Sequence, residues 1–237
     1  MPTRLIEVVV DALDVTAQAE FWSQALGWAL AEPGPLDQER YLTPPIGSGW
    51  PGISFVPVNE PKTVKNRLHF DLSRGSDQAR TVERVLGLGA REVDIGQGDV
   101  PWVVLADPEG NEFCVLAEDS PGSSLFQVSL DASDPDAQAR FWVAASGWQL
   151  VARESWGVVL RPPTEMARLA MGPPLAPKGV KNRLHLDVAP FPGDDQAQEV
   201  DSLIAAGASR VDIGQGEVPW EVLADPEGNE FCVLTPR

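Results

Sequence analysis

The chain has 237 residues, with 35 acidic and 18 basic side chains, and a formal net charge of -17. That balance argues against nucleic acid and anionic membranes as partners, because both are bound through clustered Lys and Arg. No apolar run reaches the roughly 18 residues of a spanning helix, and acids interrupt the N-terminal segment before a secretory core could form. With only Cys114 and Cys232 present, one in each copy of a repeat, reduced thiols and a cytoplasmic location are expected.

The chain says nearly the same thing twice. Val93–Leu116 returns as Val211–Leu234 with 22 of 24 positions identical, and Pro61–Leu72 returns as Pro177–Val188 with 9 of 12 identical. Asp14–Trp28 is echoed by Asp134–Trp148, and the copies lie 116 to 120 residues apart. A period this long marks a duplicated domain rather than a solenoid, whose units run about 20–50 residues. The expected division is 1–120 and 121–237.

In chain order, Leu5–Asp11 alternates as a strand with one dry face. Asp14 offers a helix N-cap, matched by Asp134 before Pro135, and Gly27 ends that helix. A Pro- and Gly-rich segment follows, with strand-like runs at Gly52–Val58 in the first copy and Trp156–Leu160 in the second. The pattern then restarts: Arg67–Leu72 as a strand, Asp77–Leu88 as a helix, Glu92–Ile95 and Trp102–Ala106 as strands. Asp107-Pro108-Glu109-Gly110 is a turn, and Glu112–Leu116 returns antiparallel. Each copy holds two such units, so the reading is α+β with four βαβββ modules. Gly96-Gln97-Gly98 lacks phosphate-loop spacing and reads as a turn.

The Asp14…Phe21-Trp22 helix start, the KNRLHFDL strand and the WVVLADPEGNEFCVL hairpin, each present twice, resemble the vicinal oxygen chelate superfamily, in its glyoxalase-like, bleomycin-resistance-like branch. The resemblance implies a tandem of two glyoxalase-like domains whose curved sheets form cups. It also implies that fusion replaces the homodimer a single copy would need; monomer and homodimer both stay open. Superfamily chemistry, where present, uses a divalent metal held by the first and last strands of two paired modules. Carried onto this chain, the first-strand positions fall on Glu7 and His69 in copy one and on Gln127 and His185 in copy two. Last-strand positions fall on Cys114 and Cys232, and in the other modules near Val56 and Gly172. At most Glu, His and Cys surround one cup and Gln, His and Cys the other. The expectation is a depleted site with no metal or other cofactor, and zinc as the alternative its donors would suit.

His69 and His185 are the only histidines, and ligand contact is the first expectation for both. Asp71 and Asp187 follow them by two residues and share their strand face; Glu112 and Glu230 stand in the same relation to the cysteines. Cys114 near His69 suggests a thiolate pair, although packing is the commoner use of such a cysteine. Among eight tryptophans, Trp102 and Trp220 enter strands on the alternation that faces the cup, and Trp50 and Trp156 could roof it. Flat aromatic walls with a few polar groups suit a planar ligand. The leading expectation is a protein that binds or sequesters a small molecule, a drug or a metabolite, with an aromatic ligand suited to these walls. The alternative is a lyase or isomerase using His69 or His185, with or without zinc, and a ligand-free scaffold ranks third.

Overall fold

Local chemistry fixes the helices where the sequence places them. Asp14 and Asp134 accept the backbone N–H of Ala17 and Ala137, and both helices end on a left-handed glycine, Gly27 at φ 69° and Gly147 at φ 72°. The computed structural model describes residues 3–32, 38–118, 124–163, 166–174 and 177–237. Module 1 comprises β1 (Arg4–Ala12), α1 (Val15–Leu26), β2 (Ala29–Leu30), β3 (Arg40–Thr43) and β4 (Gly52–Pro57). Module 2 comprises β5 (Leu68–Leu72), α2 (Gln78–Gly87), β6 (Arg91–Glu92), β7 (Val103–Ala106) and β8 (Glu112–Val115). Module 3 comprises β9 (Leu125–Asp131), α3 (Pro135–Ser146), β10 (Gln149–Glu154), β11 (Gly157–Arg161) and β12 (Leu169–Gly172). Module 4 comprises β13 (Leu184–Ala189), α4 (Gln196–Ala205), β14 (Ser209–Arg210), β15 (Glu221–Ala224) and β16 (Glu230–Val233).

The modules pair across the repeat. One eight-stranded sheet runs β14-β15-β16-β13-β1-β4-β3-β2, joining modules 4 and 1. The other runs β10-β11-β12-β9-β5-β8-β7-β6, joining modules 3 and 2. The seams are antiparallel, with Glu7 opposite Asp187 and Val9 opposite His185 in the first sheet. In the second, Gln127 lies opposite Asp71 and Ser129 opposite His69. A bulge at each seam brings Ile6 and Phe126 onto the faces that carry these polar residues.

Alternation along each strand sends Val8, Val10, Phe70, Leu72, Val128, Leu130, Leu184 and Leu186 into one continuous core shared by both sheets and the helices. Trp22 and Trp142 sit at its centre, each 1% exposed. Trp50, expected over a cup, is instead packed into this core. Glu92–Ile95 is expected as a strand, but the paired stretch is Arg91–Glu92, with one further bond from the Val93 N–H to the Val104 carbonyl. Beyond it, Asp94 Oδ1 accepts the Gly96 N–H and Gln97 Oε1 accepts the Ile95 N–H, both at 2.8 Å. Side chains therefore take the donors that a ladder would use.

Candidate functional site

The most repeated sequence in the chain is structural. Asp107 is fully buried in the hairpin turn and accepts five N–H donors: the backbone of Glu109 and Asn111, and the side chains of Asn111, Gln18 and Trp22. The turn of module 2 thereby locks onto α1 of module 1. Asp225 does the same for Gln138 and Trp142. Glu109 accepts the N–H groups of Leu13 and Asp14 ahead of α1 and pairs with Arg183 from the other repeat at 3.1 Å. Glu227 and Arg67 repeat that arrangement. Arg67 and Arg183 therefore tie the two repeats together.

The sheet faces turned away from the core are the cups: cup A on the β1–β13 sheet and cup B on the β5–β9 sheet. Cross-repeat pairing corrects the expected sets. Glu7 belongs with His185, Asp187 and Cys232; Gln127 belongs with His69, Asp71 and Cys114. Register also moves two last-strand positions. Ser54 and Ala170, opposite Val9 and Ser129, are the counterparts of the cysteines, instead of Val56 and Gly172.

Cup B is organised around Asp71. Asp71 Oδ2 accepts from Gln127 Nε2 at 2.8 Å and Ser129 Oγ at 2.6 Å, and the Cys114 thiol lies within 4.8 Å of the same carboxylate. His69 Nε2 lies 3.4 Å from Asp71 Oδ1. Burial alone would raise the Asp71 pKa, but His69 and the two donors outweigh it and hold the carboxyl below its ordinary range. Burial, then the Asp71 charge, pushes the Cys114 thiol well up. It is therefore a thiol at neutral pH, which removes the thiolate nucleophile.

Cup A has the same His–Asp–Cys residues and the opposite electrostatics. His185 Nε2 is again 3.4 Å from Asp187 Oδ1, but Glu7 and Val9 replace the two donors. Burial, then the opposed Glu7 charge, raises Asp187 to about 8. Burial, then Lys181, lowers His185 to about 3. Both are neutral at pH 7. Glu7 is held by the Ser54 hydroxyl, and Tyr41, opposite Ser54, lies over Gly52, the neighbour of Glu7. A Cβ at Gly52 would occupy the space of the Tyr41 phenol. Gly52→Ala is therefore expected to displace that ring at a cost of about 1–3 kcal/mol, read by urea denaturation and by the NMR signals of the single tyrosine.

Other expected site residues lie elsewhere. Glu112 and Glu230 bind Lys62 and Lys178 at 2.6 and 2.8 Å and also accept the backbone N–H of Asn66 and Asn182. They anchor loops. Trp102 and Trp220 are 38% and 37% exposed; Trp220 lines a recess with Asp212 and Glu217. Trp156 is exposed. Sequence reasoning missed Ser129, which lies opposite His69, Ser54, whose hydroxyl holds Glu7, and Tyr41, which lies opposite Ser54.

The three donors of each set, His, Asp and Cys, lie within 4.8 Å of one another. Ligand atoms about 2.0–2.3 Å from a tetrahedral zinc would be spaced similarly. Asp71 Oδ1 and Asp187 Oδ1 are buried without a hydrogen-bond partner. The residues present therefore fit zinc, with an aspartate in place of the glutamate expected from copy one.

A family model described as Glyoxalase-like domain matches residues 7–116 and again 127–234. Glyoxalase I from Zea mays superposes with a TM-score of 0.66 at 13% identity, over 98% of this chain and 92% of that one. A probable chloroplastic lactoylglutathione lyase of Arabidopsis thaliana is 26% identical over 159 residues, 62% of this chain. The chain spans 45% of the length of that relative. No helix among the described residues is long and apolar enough to cross a membrane.

Proposed function

The chain belongs to the glyoxalase-like domain family, and on that premise we propose that it binds a small organic molecule in cup B, over a floor of His69, Asp71 and Cys114. The observation that carries this reading is unsatisfied polarity. His69 Nδ1 and Asp71 Oδ1 are both buried without a hydrogen-bond partner, a condition that native proteins keep rare and that a ligand relieves. The reading is tested by native mass spectrometry of protein purified without chelator. An organic adduct that disappears in His69→Ala but survives in His185→Ala is expected. An adduct indifferent to His69 contradicts it.

A second reading, a lyase or isomerase, is favoured by the ionised Asp71 beside His69. A carboxylate there orients the imidazole, which is what an acid–base histidine needs. Zinc, where bound by His69, Asp71 and Cys114, would supply Lewis-acid polarisation of a ligand oxygen. With lactoylglutathione as the probe, after the name of the Arabidopsis relative, His69→Ala is expected to lower turnover 100-fold or more and His185→Ala to leave it intact. Equal losses in both would remove the distinction between the cups.

A further inference from the structure

Cup B differs from cup A in one more respect, and it concerns charge. Six basic side chains line the cleft between the two repeated PKxVKNR loops: Lys62, Lys65, Arg67, Lys178, Lys181 and Arg183. Every one of them is ion-paired. Arg161 and Arg168 are not. Among the described residues neither makes an ion pair or donates a side-chain hydrogen bond, and the Nε of each is buried without a partner. In a chain of net charge -17, two unpaired and partly buried guanidinium groups are a marked departure.

Their placement makes them neighbours. The β11–β12 ladder runs from Val158 opposite Met171 to Leu160 opposite Leu169, so the next pair is Arg161 opposite Arg168. Val158, Leu160, Leu169 and Met171 enter the core, which turns both arginines to the cup face. Like charges directly opposite on one sheet face are destabilising. Desolvation, then the Arg161 charge, lowers the pKa of Arg168, and the Glu118 charge offsets only part of this. Arg168 also stacks over Phe126, 4.6 Å from the ring centroid, and Phe126 packs beside Cys114.

The row can be followed across the sheet. Leu169 pairs with Val128, which sets Arg168 beside Gln127; Gln127 then faces Asp71, and Asp71 faces Cys114. At about 4.8 Å per strand, the arginine pair stands roughly 10–14 Å from the aspartate, within reach of one ligand. The corresponding row in cup A reads Thr43, Gly52, Glu7, Asp187, Cys232. No arginine stands there.

We infer that cup B holds an anionic group of its ligand, a carboxylate or a phosphate, between Arg161 and Arg168. The planar guanidinium suits either group bidentately. An anion there relieves the repulsion and satisfies the two orphaned donors. The inference rests on cup B as the ligand site and specifies the ligand chemistry.

The test follows the arginine Nε–H signals by 1H–15N NMR during titration with inorganic phosphate and, separately, with benzoate, chloride holding ionic strength constant. Saturable shifts of both Nε–H signals are expected, together with a rise in Tm of roughly 3 °C. A response to phosphate alone identifies a phosphate site, and a response to benzoate alone a carboxylate site. Arg168→Gln should abolish the response and raise the Tm in chloride alone, because it removes the like-charge pair. Arg168→Lys, which keeps the charge, should retain a weakened response. Unmoved Nε–H signals with both anions, or an undiminished Tm response in Arg168→Gln, overturns the inference. His69→Ala should keep the anion response. A failed arginine response beside a surviving His69-dependent adduct sinks the subsite alone, while loss of that adduct sinks the reading beneath it.

Discussion

Asp107→Ala is expected to cost about 3–5 kcal/mol and to lower the Tm by roughly 10 °C, measured by urea and thermal denaturation. The side chain is fully buried, and its two oxygens accept five N–H donors. Truncation leaves Trp22 Nε1 and Gln18 Nε2 facing an apolar core with no acceptor. Asp107→Asn should cost less, since it keeps the volume and one acceptor oxygen. Asp225→Ala should match Asp107→Ala, because Gln138, Trp142 and Asn229 stand in the same places. A loss under 1 kcal/mol in both alanine variants would mean that the repeated turn is not what joins each hairpin to its helix.

The second large effect is a change in pH dependence from exchanging two residues. Asp187 has its folded pKa raised to about 8 from 3.8. The native state therefore holds a proton that the unfolded chain releases, and stability falls as pH rises between those values. His185, lowered to about 3 from 6.5, acts oppositely, because the unfolded chain gains a proton that the native state refuses. Its contribution rises with pH up to 6.5. The two roughly cancel from pH 4 to 6.5, and above that Asp187 acts alone. Metal-free protein should thus lose roughly 1 kcal/mol from this site between pH 6.5 and 8. Glu7→Gln with Val9→Ser recreates the donors that Asp71 enjoys, and the double variant should show little of that loss. Urea denaturation of both proteins at the two pH values checks this. A variant as pH-dependent as the parent would mean that Glu7 and the missing donors do not set the Asp187 pKa.

Asp71 carries the opposite sign. Its lowered pKa gives stability that is present above the unfolded value and is lost as pH falls through the folded one. Two positions per cup, Gln127 and Ser129 against Glu7 and Val9, thus separate an ionised aspartate from a neutral one on otherwise matching strands. The divergence between copies has a physical content, namely which protonation state each cup presents to a ligand.

Much of this was legible in the sequence, for identifiable reasons. Period-two alternation in VVVDA and LHFDL, the Asp caps and the repeated turn are local signals, and they yielded the four modules. The partner of each first strand was not legible. Glu7 and Gln127 alternate identically, and nothing local says whether β1 meets β5 or β13; only the seam of the folded sheet assigns Glu7 to His185. Ser54 and Ser129 were missed for the same reason, because their importance comes from the residue opposite. Alternation alone puts Glu112 and Trp102 in a cup; it does not see that Lys62 captures the first or that the second is 38% exposed ahead of β7. Arg161 and Arg168 sit in the segment that differs most between copies, where an arginine reads as ordinary surface. Their signal is the run GVVLR followed by RLAMG, in which the core-facing residues leave both arginines on the cup side.

Cross-repeat pairing gives the two cups unlike aspartates. The most direct measurement is a 13C carboxyl titration of metal-free protein, with Asp71 and Asp187 assigned through Asp71→Asn and Asp187→Asn. Asp71 should titrate below the ordinary aspartate value and Asp187 near 8. If both titrate together in the usual carboxylate range, the difference between the cups does not exist.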